Sequence, residues 1–225
     1  MPKDDRGDAQ GSEGLRILHG RFGISEDSIR SKQLHSYLSL LQKWNHKVNL
    51  TSSTSWGALQ PFFLEAFEAS RLYPHESVHH LDVGSGAGFP ALLMRILIPR
   101  MRLVLVESRA KRAAFLEAVC RELDLAATAV VNQRLEESGQ LLDSCDPWDC
   151  ISWKAIKLSE RALSVLGRHC GNSTQFWMFH AREAAVENPE SLDRYLQLRS
   201  RYTLVETRHW QLSIYVPKRP LQRFT

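Results

Sequence analysis

The segment LDVGSGAGFP, residues 81–90, constrains the fold of this chain more than any other stretch. In it an apolar run that carries Asp82 leads directly into three glycines at alternate positions, Gly84, Gly86 and Gly88. Glycine adopts positive φ at little steric cost and lets the backbone approach a ligand closely. A glycine-rich turn between a buried strand and a helix is typical of nucleotide-binding α/β sheets. We therefore expect a ligand site at this turn.

The pattern after residue 77 alternates between strand-like and helix-like runs. The runs SVHHLDVG, MRLVLVES, ATAVVNQ, WDCISWKA and TQFWMFHA predict strands, and YTLVETRHWQLSIYVPK predicts two more with a short connection. The runs PALLMRILI, RAKRAAFLEAVCREL, LSERALSVLGRHC and NPESLDRYLQLRS predict helices. Such alternation predicts a Rossmann-like α/β fold, with a mainly parallel seven-stranded sheet and an antiparallel C-terminal strand.

Two helices are predicted ahead of the first strand. The first is predicted over residues 14–50, where apolar residues recur at three- and four-residue steps, at Leu34, Tyr37, Leu38, Leu41, Trp44 and Val48. The run ALQPFFLEAFEASRLYP predicts the second, beginning near Pro61, because proline is tolerated in a first helical turn. We expect a disordered segment over residues 1–14 and a helical cap over 15–76. We expect residues 77–225 to form the ligand-binding domain, in one compact unit with the cap.

Charge and cysteine usage limit the classes of partner. The net charge of +4 and the pI of about 9.0 permit a polyanionic partner without requiring one. The cysteines form no CxxC pair and no zinc-finger spacing, so no metal site is expected at Cys120, Cys145, Cys150 or Cys170. We expect no signal peptide, because the polar N-terminal segment has no apolar region, and no apolar run approaches the roughly 18–20 residues of a membrane span. We expect a cytoplasmic monomer with no membrane or evident protein partner.

The glycine turn is consistent with two kinds of ligand, a dinucleotide and S-adenosylmethionine. The spacing here is GxGxG, whereas a dinucleotide fold prefers GxGxxG. An acidic Asp82 would repel a pyrophosphate but suits the ammonium and sulfonium groups of S-adenosylmethionine (SAM). Glu107 ends the next strand, 23 residues after Gly84, where it can accept hydrogen bonds from ribose hydroxyls. NAD enzymes use the same device, so an NAD-binding oxidoreductase remains an alternative.

Several segments together resemble a known family. LDVGSGAGFP, VESRAKRAAFL and the closing strand pair are similar to class I SAM-dependent methyltransferases. LLQKWNHKVNLTS, residues 40–52, resembles the WN…NLT signature of the glucose-inhibited division protein B family. The similarity runs from about Ser31 to Glu137 and includes RLEE after the third strand. This resemblance implies SAM as cofactor and methylation of nitrogen 7 of a guanine in 16S ribosomal RNA, as naked RNA or in the small ribosomal subunit.

The sequence departs from the family pattern at three places. The HxxDS-like segment of the second N-terminal helix reads FFLEA, residues 62–66. The Ser-Arg-Ala after the fourth strand appears as Ser152, Trp153, Lys154 and Ala155, and the Lys-Gly after the fifth strand as His180-Ala181. Two further alternatives therefore stay open: a SAM methyltransferase with a different RNA or other substrate, and a non-catalytic SAM- or RNA-binding relative.

The resemblance and the chemistry together imply roles for the cofactor residues. Asp82 faces the methionine amino end, Glu107 holds the ribose, and Leu135 and Glu136 form the adenine pocket. The full predicted cofactor set is Asp82, Gly84, Ser85, Gly86, Gly88, Phe89, Glu107, Ser108, Leu135 and Glu136. Arg109 either edges this pocket or is a surface residue at a helix N-terminus. His79 and His80, at the first strand, are interpreted as structural and not as metal ligands.

The predicted substrate side has no catalytic acid or base. The exposed lone pair on guanine N7 needs no general base, so positioning of a flipped or unpaired base suffices. Lys154 replaces the arginine of the family, and Trp153 either stacks on the base or packs in the core. Asn45 and Asn49 either point to the site or tie down the following loop. Two groups of basic residues are candidates for phosphate contact, although the first is equally consistent with a solvated helix face: Arg95, Arg100, Arg102, Arg109, Lys111, Arg112 and Arg121, and in the tail Arg208, His209, Lys218, Arg219 and Arg223.

Overall fold

A computed structural model describes residues 5–76, 79–142, 147–181, 190–205 and 210–218 of the chain. Helices α1 (Asp5–Phe22), α2 (Ile29–Val48) and α3 (Trp56–Leu72) come first. They are followed by β1 (His79–Val83), α4 (Ala91–Leu97), β2 (Arg102–Val106), α5 (Ala110–Glu122), β3 (Thr128–Val131), a 3-10 turn (Leu135–Glu137), α6 (Gly139–Leu142) and β4 (Trp148–Lys154). The chain continues with α7 (Glu160–Arg168), β5 (Cys170–Ala181), α8 (Glu190–Tyr195), β6 (Leu196–Val205) and β7 (Trp210–Pro217).

The seven strands form one sheet in the order β3-β2-β1-β4-β5-β7-β6. The pairings β1–β2, β1–β4, β2–β3 and β4–β5 are parallel, whereas β7 is antiparallel to both of its neighbours. The prediction of a Rossmann-like, mainly parallel sheet with an antiparallel C-terminal strand is therefore confirmed. The strand order reverses between β1 and β4, and ligands of such sheets bind at the carboxyl ends of the strands at this point.

Hydrophobic clusters cover both faces of the sheet. The first cluster joins the N-terminal helices to the sheet, since it includes Leu41, Phe63, Phe115 and Trp177. The second includes Leu81, Ile151, Trp153, Leu163, Phe176 and Tyr215. Each large apolar side chain that is fully buried stabilises the fold by roughly 1.5–3 kcal/mol. Helices α1–α3 therefore pack on the sheet as part of its core.

Most of the segment over residues 1–14, which was expected to be disordered, belongs to helix α1. The helix begins at Asp5, and residues 1–4 lie outside the described part of the chain. It docks through the buried side chains of Leu15 and Leu18, and Gly14 lets it approach Trp56 closely. A Cβ atom built on Gly14 would lie 2.0 Å from the indole ring. The glycines and polar residues of this segment resemble a linker, although one glycine serves close helix packing.

Two further element boundaries differ from the predictions. Helix α3 begins at Trp56 instead of near Pro61, because the Ser55 carbonyl accepts hydrogen bonds from the next turn and Trp56 packs on Phe63, with ring centroids 5.5 Å apart. The helix predicted over NPESLDRYLQLRS ends at Tyr195, and β6 begins at Leu196. Pairing with β7 provides partners for the backbone of this strand, which local sequence does not reveal.

No helix among the described residues combines the length and the apolar character needed to cross a membrane.

Candidate active site

The glycine turn after β1 has the backbone geometry that its sequence predicts. Gly84, Gly86 and Gly88 have φ values of +72°, +57° and +90°, a region that side chains other than glycine rarely adopt. The amides of Gly84 and Ser85 donate to the Val106 carbonyl over 2.8 and 3.2 Å. These bonds tie the turn to the end of β2, so the backbone amides and carbonyls of the turn lie at the carboxyl edge of the sheet.

Helix α2 supports the turn from below. The Tyr37 hydroxyl donates to the Ala87 carbonyl over 2.7 Å, and the Tyr37 ring meets Phe89 edge-on at 5.6 Å. Trp44 packs on Phe115 of α5 at 5.9 Å. Phe89 therefore belongs to the packing beneath the turn and does not line the cleft described below. The tryptophan of the WN…NLT segment holds α2 against the helix that follows β2.

Asn45 and Asn49 hold the end of α2 and the loop after it. The Asn45 side-chain carbonyl accepts a hydrogen bond from the Thr51 amide over 2.8 Å. Asn49 ends the helix with φ of 50°, in the left-handed region that asparagine tolerates, and its amide donates to the Asn45 backbone carbonyl. Of the two roles considered for this pair, the structure supports the loop-tying one.

Glu107 bridges the glycine turn and the start of α5. One carboxylate oxygen accepts from the Gly86 amide and the other from the Arg109 amide, both over 2.8 Å. The Glu107 carbonyl accepts from the Asn132 side chain over 2.8 Å. Each carboxylate oxygen has lone pairs left for a further donor. The side chain is thus fixed at the position where a ribose hydroxyl is expected.

An open cleft of about 170 Å³ lies beside the turn, at the carboxyl ends of β1 and β2. Its walls include Gly84, Ser108, Leu135 and Glu136 of the predicted cofactor set. Ile156, from the loop after β4, forms the opposite wall and lies against Gly84. The Glu136 carboxylate accepts from the Ser159 hydroxyl over 2.7 Å, which lowers the pKa of Glu136. Asp82, Ser85 and Glu107 are buried at the edge of the turn instead.

Asp82 is buried beneath the turn, with 2% of its surface exposed. One carboxylate oxygen accepts a hydrogen bond from the Ser152 hydroxyl over 2.6 Å. Ser152 in turn contacts Nε2 of His80 over 2.8 Å. Burial raises the pKa of Asp82 to about 7, although the hydrogen bond from Ser152 acts in the opposite direction. Asp82 therefore changes its charge near neutral pH.

Lys154 and Glu65 form a buried ion pair between the end of β4 and α3. The Lys154 ammonium also lies over the rings of Phe62 and Trp210, at 4.6 and 4.1 Å from their centroids. Phe62 stacks on Phe89 at 4.9 Å. Burial raises the pKa of Glu65 and lowers the pKa of Lys154, and the contact between the two groups opposes both shifts. This cluster joins the predicted substrate side to the glycine turn.

Trp153 does not belong to the substrate side. Successive side chains of a strand point to opposite faces, so Trp153 lies across the sheet from Lys154. It is 1% exposed and packs edge-on against Phe176, at 6.5 Å between ring centroids. The core role considered for this tryptophan is therefore the correct one.

The basic residues do not form one surface. Arg95 is buried in α4, and Arg100 lies over the Tyr73 ring and donates to the Pro74 carbonyl. Arg109 and Lys111 are exposed at the N-terminal end of α5, after the cleft residue Ser108. Lys218 contacts the Asp193 carbonyl, while Arg208, His209, Arg219 and Arg223 lie outside the described residues. Exposed basic residues that the sequence reasoning missed lie around the cleft at Arg134, Lys157 and Arg161.

The thiols of the described cysteines are free at Cys120, Cys150 and Cys170. Burial raises the pKa of Cys120 to about 11 and that of Cys170 to about 12, so neither is a thiolate near neutral pH. Cys145 lies outside the described residues. In the ranges that the structure describes, no group of three or more His, Cys, Asp or Glu side chains is arranged to hold a metal ion.

Sequence reasoning missed several side chains of the site. His80 was interpreted as structural, yet it bonds Ser152, the partner of Asp82. Glu65 and Phe62 were identified only as departures from a family motif, and Trp210 was not singled out. Period-2 spacing puts His80 and Asp82 on one face of β1, which is the signal in the sequence that would have grouped them.

Comparison with known proteins adds the family. A model of the family GidB, "rRNA small subunit methyltransferase G", matches residues 30–209. A ribosomal RNA small subunit methyltransferase G of Roseiflexus sp. (strain RS-1) is 33% identical over 150 residues, covering 66% of this chain and 62% of the relative. The protein of the same name from Desulfotalea psychrophila is 32% identical over 170 residues, covering 75% of this chain and 74% of the relative. The Roseiflexus alignment thus spans less than two thirds of that relative's length.

Solved structures support the fold. A variant of MtNAS in complex with S-adenosylmethionine superposes with a TM-score of 0.57 at 14% identity, covering 84% of this chain and 76% of that one. At this identity the likeness concerns the fold alone. The match of the family model over residues 30–209 covers most of the chain. The chain therefore belongs to the GidB family of rRNA small subunit methyltransferase G.

Proposed function

We propose that this protein is a SAM-dependent methyltransferase that methylates nitrogen 7 of a guanine in 16S ribosomal RNA. The observation that carries the proposal is the pair of buried carboxylates, Asp82 and Glu107, on either side of a glycine turn at the switch point of the sheet. Membership of the GidB family supports the RNA substrate. The protein acts as a cytoplasmic monomer on naked 16S rRNA or on the small ribosomal subunit.

The turn has room for a ligand against its backbone. A Cβ built on Gly86 has no atoms beyond its chain neighbours closer than 3.8 Å, although the backbone there has positive φ. Asp82 receives the cationic amino end of SAM, directly or through water, and Glu107 receives the ribose hydroxyls. Ser108, Leu135 and Glu136 hold the adenosine part in the cleft. When bound, SAM supplies an electrophilic methyl group.

The residues on the substrate side position the base instead of activating it. Guanine N7 presents a lone pair that attacks a methyl group without a general base, so in-line geometry is the main requirement. Lys154 contacts the RNA, while Glu65, Phe62 and Trp210 fix its ammonium group. Arg134 and Lys157 line the cleft and are exposed, and they contact the phosphates together with the exposed Arg109, Lys111 and Arg161.

A thermal-shift comparison tests the cofactor assignment. S-adenosylhomocysteine at about 100 times its dissociation constant is expected to stabilise the protein by about 2.7 kcal/mol. For a chain of this size that corresponds to a rise in Tm of about 5–10 °C. NAD at the same concentration is expected to leave Tm unchanged, because Asp82 repels its pyrophosphate. Stabilisation by NAD without stabilisation by S-adenosylhomocysteine would overturn the proposal in favour of an oxidoreductase.

A further inference from the structure

A chain of hydrogen bonds runs beneath the glycine turn from His80 through Ser152 to Asp82. Strands β1 and β4 are parallel neighbours with Asp82 opposite Ser152, and alternation puts His80 on the same face. His80 and Ser152 are fully buried. The Tyr73 ring stacks on the His80 imidazole at 5.6 Å and 17°. Packing therefore holds these three hydrogen-bonded side chains in place, and they have little freedom to change partners.

The distances indicate the direction of these bonds. The 2.6 Å between Ser152 Oγ and Asp82 Oδ1 lies in the range of a hydroxyl that donates to an ionised carboxylate. Because a serine hydroxyl has one proton, Ser152 must then accept from His80 Nε2–H. Nδ1 of His80 has no hydrogen-bond partner among the described residues. Burial lowers the pKa of His80 to about 3, so its imidazole is neutral.

We propose that Ser152 and His80 are positioning residues that keep the Asp82 carboxylate ionised and oriented to receive the ammonium group of the cofactor. This inference rests on the proposed function, in which Asp82 faces the amino end of SAM. The polarised chain strengthens the bond that reaches Asp82, because each donor in a hydrogen-bonded chain makes the next one more acidic. The reverse direction would require a proton on the unpartnered His80 Nδ1.

The groups around Asp82 determine whether its pKa rises or falls when the Ser152 hydroxyl is removed. Glu107, at the end of β2, raises the pKa of Asp82, and Lys154 on β4 lowers it. The Ser85 hydroxyl, in the turn, also lowers it, and the Cys150 thiol on β4 is neutral because burial raises its pKa well above the usual value. Glu65 on α3 is engaged with Lys154. Loss of the hydroxyl of Ser152 removes a donor to the carboxylate, so the pKa of Asp82 must rise further.

The affinity of a Ser152→Ala variant for S-adenosylhomocysteine is expected to depend on pH more steeply than that of the wild type. If the pKa of Asp82 rises by about one unit, the variant binds about eightfold more weakly than wild type at about pH 6.5 and nearly equally at about pH 9. Both proteins are fully ionised at Asp82 above the two pKa values, so the difference disappears there. The ratio of dissociation constants at each pH cancels the titration of the ligand's own amino group.

Isothermal titration calorimetry in buffers of different ionisation enthalpy adds a second readout. Binding at about pH 6.5 should release a larger fraction of a proton in Ser152→Ala than in wild type, since more Asp82 is protonated before binding. Ser213→Ala is the matched control. Ser213 is also fully buried and bonds a histidine, His180 Nε2 at 2.9 Å, but it lies on β7 and does not contact Asp82. The ratio of its dissociation constant for S-adenosylhomocysteine to that of the wild type should be the same at every pH.

His80→Phe tests the same series of hydrogen bonds and leaves the bond from Ser152 to Asp82 in place. It is needed if Ser152→Ala does not fold. Its ratio to wild type should change with pH in the same direction and by a smaller factor. A ratio that is constant with pH for both variants would overturn the positioning role, while a pH-dependent ratio supports it.

Asp82→Asn separates the two proposals. Wild-type affinity of Asp82→Asn at all pH values would contradict the cofactor placement itself, not only the role of Ser152.

Discussion

Lys154→Ala is expected to abolish methyl transfer and to lower the free energy of unfolding by about 3–5 kcal/mol. The substitution removes the cation that pairs with Glu65, whose side chain is 1% exposed. A buried carboxylate without a partner is costly, and the cation–π contacts with Phe62 and Trp210 are lost as well. Urea unfolding measures the stability, and transfer of labelled methyl measures the activity. Affinity for S-adenosylhomocysteine should change little at about pH 9, where Asp82 is ionised with or without the neighbouring ammonium group, because Lys154 lies on the substrate side.

A double variant separates the structural and functional roles of Lys154. In Lys154→Met combined with Glu65→Leu, both charges are absent, so most of the lost stability should return. Transfer should remain absent, because no cation faces the RNA. Normal transfer by the double variant would show that the pair only stabilises the fold. Loss of cofactor binding in Lys154→Ala would instead place Lys154 in the cofactor pocket.

Gly86→Val is expected to weaken the binding of S-adenosylhomocysteine by about 100-fold or more, equivalent to about 2.7 kcal/mol, while the protein remains folded. A Cβ at Gly86 would lie 3.8 Å from an Arg112 guanidinium nitrogen and from the Gly84 carbonyl, so the added side chain occupies the space beside the turn in which the cofactor is proposed to lie. The positive φ of +57° costs about 1–3 kcal/mol for a β-branched residue, which a fold of ordinary stability tolerates. Calorimetry measures the affinity, and a thermal melt confirms that the variant is folded.

Gly88→Ala is the matched control within the same turn. A Cβ at Gly88 would lie 2.9 Å from Leu92 and 3.3 Å from Leu116, and φ there is +90°. We expect a loss of about 2–4 kcal/mol in unfolding free energy, which is mainly a packing effect. Wild-type affinity in Gly86→Val would mean that the cofactor does not contact this part of the turn.

The two departures from the family motifs nearest the site meet in space. The aspartate of the HxxDS pattern corresponds to Glu65 here, and the arginine after β4 corresponds to Lys154. The structure pairs these two side chains. The acidic position of the pattern is acidic here and the basic position is basic, and in this chain the two side chains form an ion pair. The histidine position of the motif is Phe62, which places an aromatic ring under the ammonium.

Much of the fold follows from local sequence. The alternation of strand and helix predicts the parallel sheet, and the glycine spacing predicts the positive φ values of the turn. The single helix predicted over residues 14–50 is divided into α1 and α2 in the structure. The part of α1 before Gly14 falls in the segment expected to be disordered, because its docking depends on Gly14 lying against Trp56, some 42 residues away. The early end of α8 at Tyr195 and the early start of β6 were not predicted, because pairing with β7 overrides local helical periodicity.

Only the site residues that lie at the ends of predicted strands could be predicted from the sequence. Asp82 and Glu107 stand at strand ends and were predicted as a pair. The burial of Trp153 and the contact of Lys154 with Glu65 depend on which face of β4 each side chain takes and on how α3 packs. Ser152 and His80 meet only because β1 and β4 are neighbours in the sheet, although they are far apart in sequence. Such contacts follow from topology and not from spacing.

Transfer of labelled methyl from SAM to small ribosomal subunits and to naked 16S rRNA, both from a strain that lacks this modification, tests the central claim most directly. Chemical cleavage at 7-methylguanosine then maps the modified nucleotide. We predict label at a single guanine, with cleavage at that position, and loss of both in Lys154→Ala. Absence of label while S-adenosylhomocysteine still binds, or label at an atom other than N7, would contradict the proposed function.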